Sequence, residues 1–446
     1  TICAIVLNYC GGYCNGGGGI NMAGAGSLVV DCSIRNNSLG KDSSGPGIWC
    51  NGGTIRRCWI SGNRDEGAAT VSGGGVSLIS GLLESSVICS NNCQSGGGGV
   101  SRGPSTFGIT RNCLVFANVT AGAGGGINGG IIENCTVSGN TGLTAGGVNG
   151  GTVTNAIVYF NTATSGSTHN YSGGAYARSC ATPAPAGTDN TAEDPGFADA
   201  TSGNYRLRPG APGVDGGTNL PWMTGAKDLD GNDRILPAGG TNDMGAYEYT
   251  AGPLLCYFRG NPTAGFGATD VVFTATADGT NMGSVSYFWD FQNDGTNDIE
   301  GLDRQVVTNT YPSGLFTVRL VVSNGIGEVS SFTRPNYIRV SPAVIFVATN
   351  GAHTQPYTNW AMAATNLQAA MDLASTGTLI RVTNGTYNLS GQLDVAIPVT
   401  LQSENGPGPT IVRGSGVGRP LYVGHANALG AGFTITNGAL PGSGTG

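Results

Sequence analysis

Charge is scarce in this chain. Only 11% of its 446 residues are Asp, Glu, Lys or Arg, and lysine occurs twice, at Lys41 and Lys227. Histidine occurs three times, at His169, His353 and His425. No apolar run approaches the roughly 18 residues of a membrane-spanning helix, so no membrane span is expected. The formal net charge of −7 argues against a nucleic-acid partner. The sequence opens on Thr1-Ile2-Cys3 with neither an initiator Met nor a secretory leader. It therefore reads as a fragment, a processed product or one repeat of a longer polypeptide.

What the chain has in abundance is glycine, 79 residues of it, and repetition. One phrase recurs through the first 160 residues: Cys, any residue, Ile or Val, two more residues, then Asn. It reads Cys3-Ala-Ile5-Val-Leu-Asn8, Cys32-Ser-Ile34-Arg-Asn-Asn37 and Cys58-Trp-Ile60-Ser-Gly-Asn63. It returns as Ser86-Val-Ile88-Cys-Ser-Asn91, Cys113-Leu-Val115-Phe-Ala-Asn118, Cys135-Thr-Val137-Ser-Gly-Asn140 and Ala156-Ile-Val158-Tyr-Phe-Asn161. The Asn positions lie 29, 26, 28, 27, 22 and 21 residues apart, a period that marks a stacked solenoid.

Within each phrase the alternation is that of a strand, with Cys and Ile or Val inward. A second ladder sits about half a period away: Gly19-Ile20, Gly47-Ile48, Gly75-Val76, Gly99-Val100, Gly126-Ile127 and Gly147-Val148. Runs of Gly exclude helix, at a cost of about 1 kcal/mol per residue, and permit sharp corners with positive φ. Two or three short strands per turn, stacked in parallel about 4.8 Å apart, place like residues on like. The Ile and Val then form apolar files, and each Asn bonds to the Asn above and below. The ladder residues Asn8, Asn37, Asn63, Asn91, Asn118, Asn140 and Asn161 are accordingly read as structural, since catalysis does not need the same Asn seven times.

These ladders resemble the right-handed parallel β-helix proteins of the pectate-lyase-like superfamily, especially secreted bacterial ones. The resemblance covers 1–180 and 343–446. It implies a fold that serves lyases, hydrolases, adhesins and structural proteins alike. Residues 181–252 lose the ladders; Asp194-Pro-Gly-Phe197, Tyr205-Arg-Leu207 and Asp243-Met-Gly-Ala-Tyr247-Glu-Tyr249 resemble the segment that closes such a helix. Residues 253–342 alternate like a small β-sandwich. There Trp289-Asp290-Phe291 and the run from Gly314 to Asn324 resemble a PKD-type domain, an immunoglobulin-like bead. From 343 a second solenoid is expected. An amphipathic cap helix over Trp360 to Ala374 precedes strands at Leu379–Val382, Val399–Leu401, Thr410–Val412 and Phe433–Asn437. The fold class is all-β: a right-handed parallel β-helix, a small β-sandwich and one short cap helix.

Cys3, Cys32, Cys58, Cys113 and Cys135 share the inward ladder and read as buried thiols. Pairing between stacked neighbours has poor geometry, while local Cys10–Cys14 and Cys89–Cys93 bridges stay open. Two acidic clusters are candidate Ca²⁺ ligands: Asp290, Asp294 and Asp298, spaced around Gly295, and Asp228, Asp230 and Asp233. Each has an alternative as a plain polar turn. Sequons occur at Asn36, Asn118, Asn134, Asn170, Asn384 and Asn388.

A β-helix lyase or hydrolase needs clustered carboxylates, or an Arg or Lys base with Ca²⁺. Residues 1–180 offer Asp31, Asp42, Asp65, Glu66, Glu84 and Glu133, with Arg56 and Arg57 near Asp65-Glu66 as the one modest cluster. The expectation is a non-enzyme: a structural subunit or tandem repeat of an extracellular or cell-surface filament. Its partners would be copies of itself, head to tail, because open solenoid ends that stack without closing make fibres. Joined in register, Thr434-Ile-Thr-Asn437 would lead into the Cys3–Asn8 rung. The alternative is a secreted glycan-binding adhesin with Trp49, Trp59, Tyr159 and Tyr176 on its surface, and behind it a polysaccharide lyase or hydrolase.

Overall fold

The computed structural model describes residues 3–10, 16–40, 44–65, 72–102, 108–165, 169–280, 282–416 and 418–439, with backbone alone for Cys3, Tyr9 and Cys10. Nearly all regular structure is β, and the chain divides into two units, Thr1–Thr250 and Ala251–Gly446.

The first unit is a parallel β-solenoid. Its central sheet has eight strands, from Cys3–Val6 through Cys32–Arg35, Trp59–Ser61, Val87–Cys89, Leu114–Phe116, Thr136–Ser138 and Ile157–Tyr159 to Cys180–Ala181. In-register pairing stacks Ile5, Ile34, Ile60, Ile88, Val115, Val137, Val158 and Ala181 in one file. The Gly-preceded ladder makes a second file: Ile20, Ile48, Val76, Val100, Ile127, Val148 and, at its end, Tyr171. A third file, outside both repeated phrases, runs Val29, Ile55, Leu83, Thr110, Ile132, Val153 and Tyr176. The three files pack into one continuous core. Each buried Ile or Val contributes about 1.5–3 kcal/mol of transfer free energy.

The corners between strands carry the repeat. Pairs of residues with positive φ stand five apart in every complete rung: Asp31 and Asn36, Arg57 and Gly62, Ser85 and Ser90, Asn112 and Ala117, Asn134 and Gly139, Asn155 and Phe160. The residue after the first corner is the Cys position. There Cys32, Cys58, Cys113 and Cys135 each donate a thiol hydrogen bond to the carbonyl two residues back, at 3.1 to 3.3 Å. Ser86 and Ser179 do the same through hydroxyls at 2.8 and 2.9 Å. The ladder position thus holds a small side chain, which bonds back across the corner wherever it is Cys or Ser and cannot at Ala156. The thiols of Cys58, Cys89, Cys93, Cys113, Cys135 and Cys180 are free, so no Cys89–Cys93 bridge forms. The Cys10–Cys14 alternative lies outside the described residues.

The residue after the second corner is the ladder Asn. Each of Asn37, Asn63, Asn91, Asn118 and Asn140 donates its amide to the Asn of the next rung at 2.9 to 3.0 Å. The accepting oxygen also receives the backbone N–H of the donor residue. The second amide proton goes to a carbonyl of the preceding rung, as from Asn118 to Ile88. All five are buried to 1% exposure or less. The file starts at Asn8, which donates to Asn37, and ends at Asn170, which accepts from Asn161 and donates to the Thr182 carbonyl. Asn170 stands nine residues after Asn161, off the period, and sequence periodicity misses it.

The second unit contains a sandwich of a three-stranded antiparallel sheet (Leu255–Asn261, Thr269–Asp278, Val306–Tyr311) and a five-stranded sheet (Ala264–Phe266, Val285–Asp290, Ile299–Gly301, Gly314–Asn324, Val329–Ser341). Trp289 is fully buried at its centre with Phe258, Phe273 and Phe291, and its indole donates to the Arg304 carbonyl at 2.8 Å. A second set of solenoid rungs follows, stacking Ile345, Ile380 and Leu401, and Tyr387, Val412 and Ile435. The helix is shorter than expected. It spans Leu367–Leu373, capped by the Asn366 side chain accepting from Ala369 N–H at 2.8 Å. The residues before it pair with the strand Val344–Val347 instead, through Ala364 N–H to the Phe346 carbonyl.

The Asn file makes a direct expectation. Asn118→Ala strands the buried backbone N–H and amide of Asn91 and the Ile88 carbonyl, at about 1–3 kcal/mol per unsatisfied group. Asn8→Ala, at the exposed start of the file, removes a donor that water replaces. Urea unfolding should show Asn118→Ala losing several-fold more stability than Asn8→Ala; equal losses would refute the ladder as the stabilising element.

Candidate functional site

The stretch after residue 194 does not lie across the end of the solenoid. Residues 187–191 complete the last rung, pairing with Tyr176, Ala177 and Cys180. The chain then runs back as a strap along the outward face of the central sheet. Phe197, Tyr205, Leu207, Met244, Ala246 and Tyr247 cover Leu114, Ile157 and Cys180 there. The first-corner asparagines act as sockets. Asn112 donates to the Lys227 carbonyl (2.7 Å), Asn134 to the Asp243 carbonyl (3.0 Å) and Asn155 to the Thr218 carbonyl (2.8 Å). Corners away from the strap are charged instead: Arg57 forks onto Asp31 at 2.7 Å, and Arg178 pairs with Asp189.

Inside the strap, Arg234 is wholly buried among three buried carboxylates, Asp228, Asp243 and Glu248. Its guanidinium sits 3.0 Å from Glu248. Burial lifts the Glu248 carboxyl to about 9, against the pull of Arg234. Burial likewise lifts Asp243 to about 6, while hydrogen bonds from Asp215 N–H and Tyr249 N–H and the Arg234 charge oppose it.

Where the strap leaves the sheet uncovered there is a cleft of about 1010 Å³. Its rung wall holds Arg56, Glu84 and Arg111, stacked in register with Glu133. This makes an alternating column: Arg56 and Arg111 both bond Glu84. Burial raises the Glu133 carboxyl, with Arg111 beside it opposing the shift. The strap wall holds Trp222, whose ring lies under the Arg111 guanidinium at 4.8 Å, and Tyr247 under Arg206 at 4.8 Å. The floor toward the open sheet is Trp59, 48% exposed. Arg56 and Arg57 pair with Glu84 and Asp31; Glu66, Asp42 and Lys41 lie outside the described residues.

Other candidate residues are dispersed. Each histidine braces its own turn, with Nδ1 accepting from Ala163 N–H at His169, from Thr365 N–H at His353 and from Asn427 N–H at His425. Tyr176 is core, packed on Tyr171 with centroids 5.0 Å apart, and Tyr159 packs on Phe160. Of the four aromatics expected on the surface, Tyr176 is buried, Trp49 and Tyr159 are half-buried and Trp59 is exposed. Among the sequons, Asn118, Asn134 and Asn170 are buried, whereas Asn36, Asn384 and Asn388 are exposed.

The acidic triplets do not fit Ca²⁺. Asp290 accepts from Asp294 and Gly295 N–H, Asp298 from Phe291 N–H, and Asp294 from Thr296 N–H. Asp228 accepts from Asp230, Asn232 and Glu248 N–H, while Asp230 pairs with Arg206 and Asp233 with Lys227. The carboxylates satisfy turns, and among the described residues no group of three His, Cys, Asp or Glu side chains is placed to hold a metal ion.

A PKD domain matches residues 258–334, within the sandwich. No curated protein and no solved structure matches the chain.

Two outcomes follow for these groups. Glu248 and Asp243 have folded values above their ordinary 4.5 and 3.8. The stability they contribute is therefore complete below about pH 4 and is lost as pH rises through 6 and then 9. Calorimetry should find a lower melting midpoint at pH 9 than at pH 5, with Glu248→Gln flattening the difference; an unchanged slope in that variant would contradict the assignment. For the sandwich, swapping millimolar Ca²⁺ for EDTA should move the midpoint by less than about 1 °C, since a bound ion would stabilise by mass action. A shift of several degrees would restore the calcium reading.

Proposed function

We propose that this chain is a structural unit of an extracellular or cell-surface fibre, built from β-solenoid rods and PKD beads. The supporting observation is a shared rung grammar. In the second unit Gly432 and Asn437, both with positive φ, flank Phe433–Thr436 at the same five-residue separation as the corner pairs of the first unit. The strand Leu429–Ala431 stands before that corner as Leu28–Val30 stands before Asp31. Ile435 takes the place of Ile34, and Gly438 the place of the ladder Asn. Asn437 is thus a corner residue, corresponding to Leu7 rather than to Asn8.

Rungs built to one grammar can stack on each other through backbone hydrogen bonds, whether in separate chains or along one tandem polypeptide. A contact of that kind repeats without closing. The reading is of a secreted, bacterial-type β-helix that acts mechanically and not as an enzyme. The full engagement of Glu84, Asp31 and the three histidines in structural bonds supports this, as does the typical place of PKD beads in extracellular proteins. Adhesion would be what such a fibre is for.

Negative-stain electron microscopy of native material, paired with the denatured chain length on a gel, tests it. Long filaments with a regular rod-and-bead repeat are expected. A chain near 45 kDa would then mean stacked subunits, and a far larger one a tandem polypeptide. Short isolated rods at every concentration would rule the fibre out.

A further inference from the structure

A sheet edge presents unpaired N–H and C=O groups, a template for another strand, and proteins ordinarily blunt it. The sandwich of the second unit has four edges, and among the described residues three are blunted. Ala264–Phe266 and Ile299–Gly301 are three residues long, the latter with Glu300 at its centre. Along Leu255–Asn261, side chains from the strand Val329–Ser341 occupy backbone groups: Arg334 donates to the Phe258 carbonyl at 3.1 Å, and the Tyr337 hydroxyl accepts from Gly260 N–H at 2.8 Å. The fourth edge, Val306–Tyr311, has none of these guards. It runs six residues, Val-Val-Thr-Asn-Thr-Tyr, with no Pro and no charge. Val307 and Tyr311 face the core, whereas Val306, Thr308 and Thr310 are exposed, Val306 to 59%.

The phase of the pairing fixes which groups are free. Ala275 N–H donates to the Gln305 carbonyl at 2.8 Å, and the register continues as Phe273 with Val307, Val271 with Asn309 and Thr269 with Tyr311. Antiparallel bonds alternate, so Val306, Thr308 and Thr310 turn their N–H and C=O outward. The occupant that fits is the same strand of a second copy. Arg304, with Asp303 behind it, precedes the edge, and Asp270 stands beside its far end, opposite Thr310. Antiparallel pairing brings Arg304 of each copy toward Asp270 of the other; parallel pairing would set like charge beside like. We infer that the Val306–Tyr311 edge joins two copies of this chain across a twofold axis at Thr308, Val306 of each pairing with Thr310 of the other. About six backbone hydrogen bonds close the seam. The two Thr308 side chains meet on the axis, each flanked by Val272 of its own copy. Such a contact is isologous and closed, so it joins chains side by side and goes beyond the head-to-tail stacking of the fibre reading.

Sedimentation equilibrium of the full chain, from about 1 µM to about 0.5 mM, tests it, since so narrow a contact is weak. Reversible self-association is expected. Thr308→Lys should weaken it about tenfold or more by setting two lysines face to face on the axis. Thr308→Pro should do the same, because the N–H it removes points outward and makes no bond within the sheet. Thr274→Lys adds the same charge to the same face one strand further in, and should leave association unchanged. Melting midpoints check that all three variants stay folded. Under mild oxidation Thr308→Cys should give a disulfide-linked dimer above the wild-type background, and Thr274→Cys should not. Residues paired in this way lie about 5.5 Å apart, within bridging distance. A monomer at every concentration would overturn the proposal, as would association indifferent to both Thr308 variants or equal cross-linking from Thr274→Cys. The fibre reading fails separately: pairing without filaments refutes that reading alone, and filaments without Thr308-dependent pairing refute this one alone.

Discussion

Everything in the solenoid depends on turning the chain at the same place in every rung without leaving a buried polar group unpaired. The left-handed corner followed by Asn solves both halves of that problem. The corner residue absorbs the turn, and the Asn side chain takes up a backbone N–H of one rung and a carbonyl of another. Because the amide both donates and accepts, the bond made at one level is repeated at the next. The file is self-consistent only when rungs stand in register, so it sets the register as well as the turn. Cys and Ser do the smaller version of the same job at the other corner, bonding back two residues.

That arrangement leaves the corners free to differ on their outer side. Asn at positions 112, 134 and 155 receives the strap; Arg57 and Arg178 pair with acids where no strap lies. The same backbone geometry thus carries attachment in one part of the rod and solubility in another. The cleft lies where one pattern gives way to the other.

Low charge acquires a meaning in this setting. In stacked rungs a charged residue meets the residue one level above and below, and a like charge there is unfavourable. In one column the charges alternate in sign: Arg56, Glu84, Arg111 and Glu133.

The periodic features were legible from the amino-acid sequence alone: the solenoid, two of its three apolar files, the Asn file from Asn8 to Asn161, and the sandwich around Trp289. Each is repeated or strongly patterned, so one-dimensional spacing reports three-dimensional stacking. The third file escaped notice because its members, Val29, Ile55, Leu83, Thr110, Ile132, Val153 and Tyr176, vary in kind and follow insertions of different length. Asn170 did so because it joins the file from outside the period. The strap and the cleft were decided only by tertiary structure. Their residues come from sequence positions more than a hundred apart, as in Asn112 with Lys227 and Asn134 with Asp243, and no local pattern encodes which face of a rod a returning segment will cover. The acidic triplets looked like ion sites in sequence because spacing alone does not show that their oxygens are already bonded to backbone N–H groups.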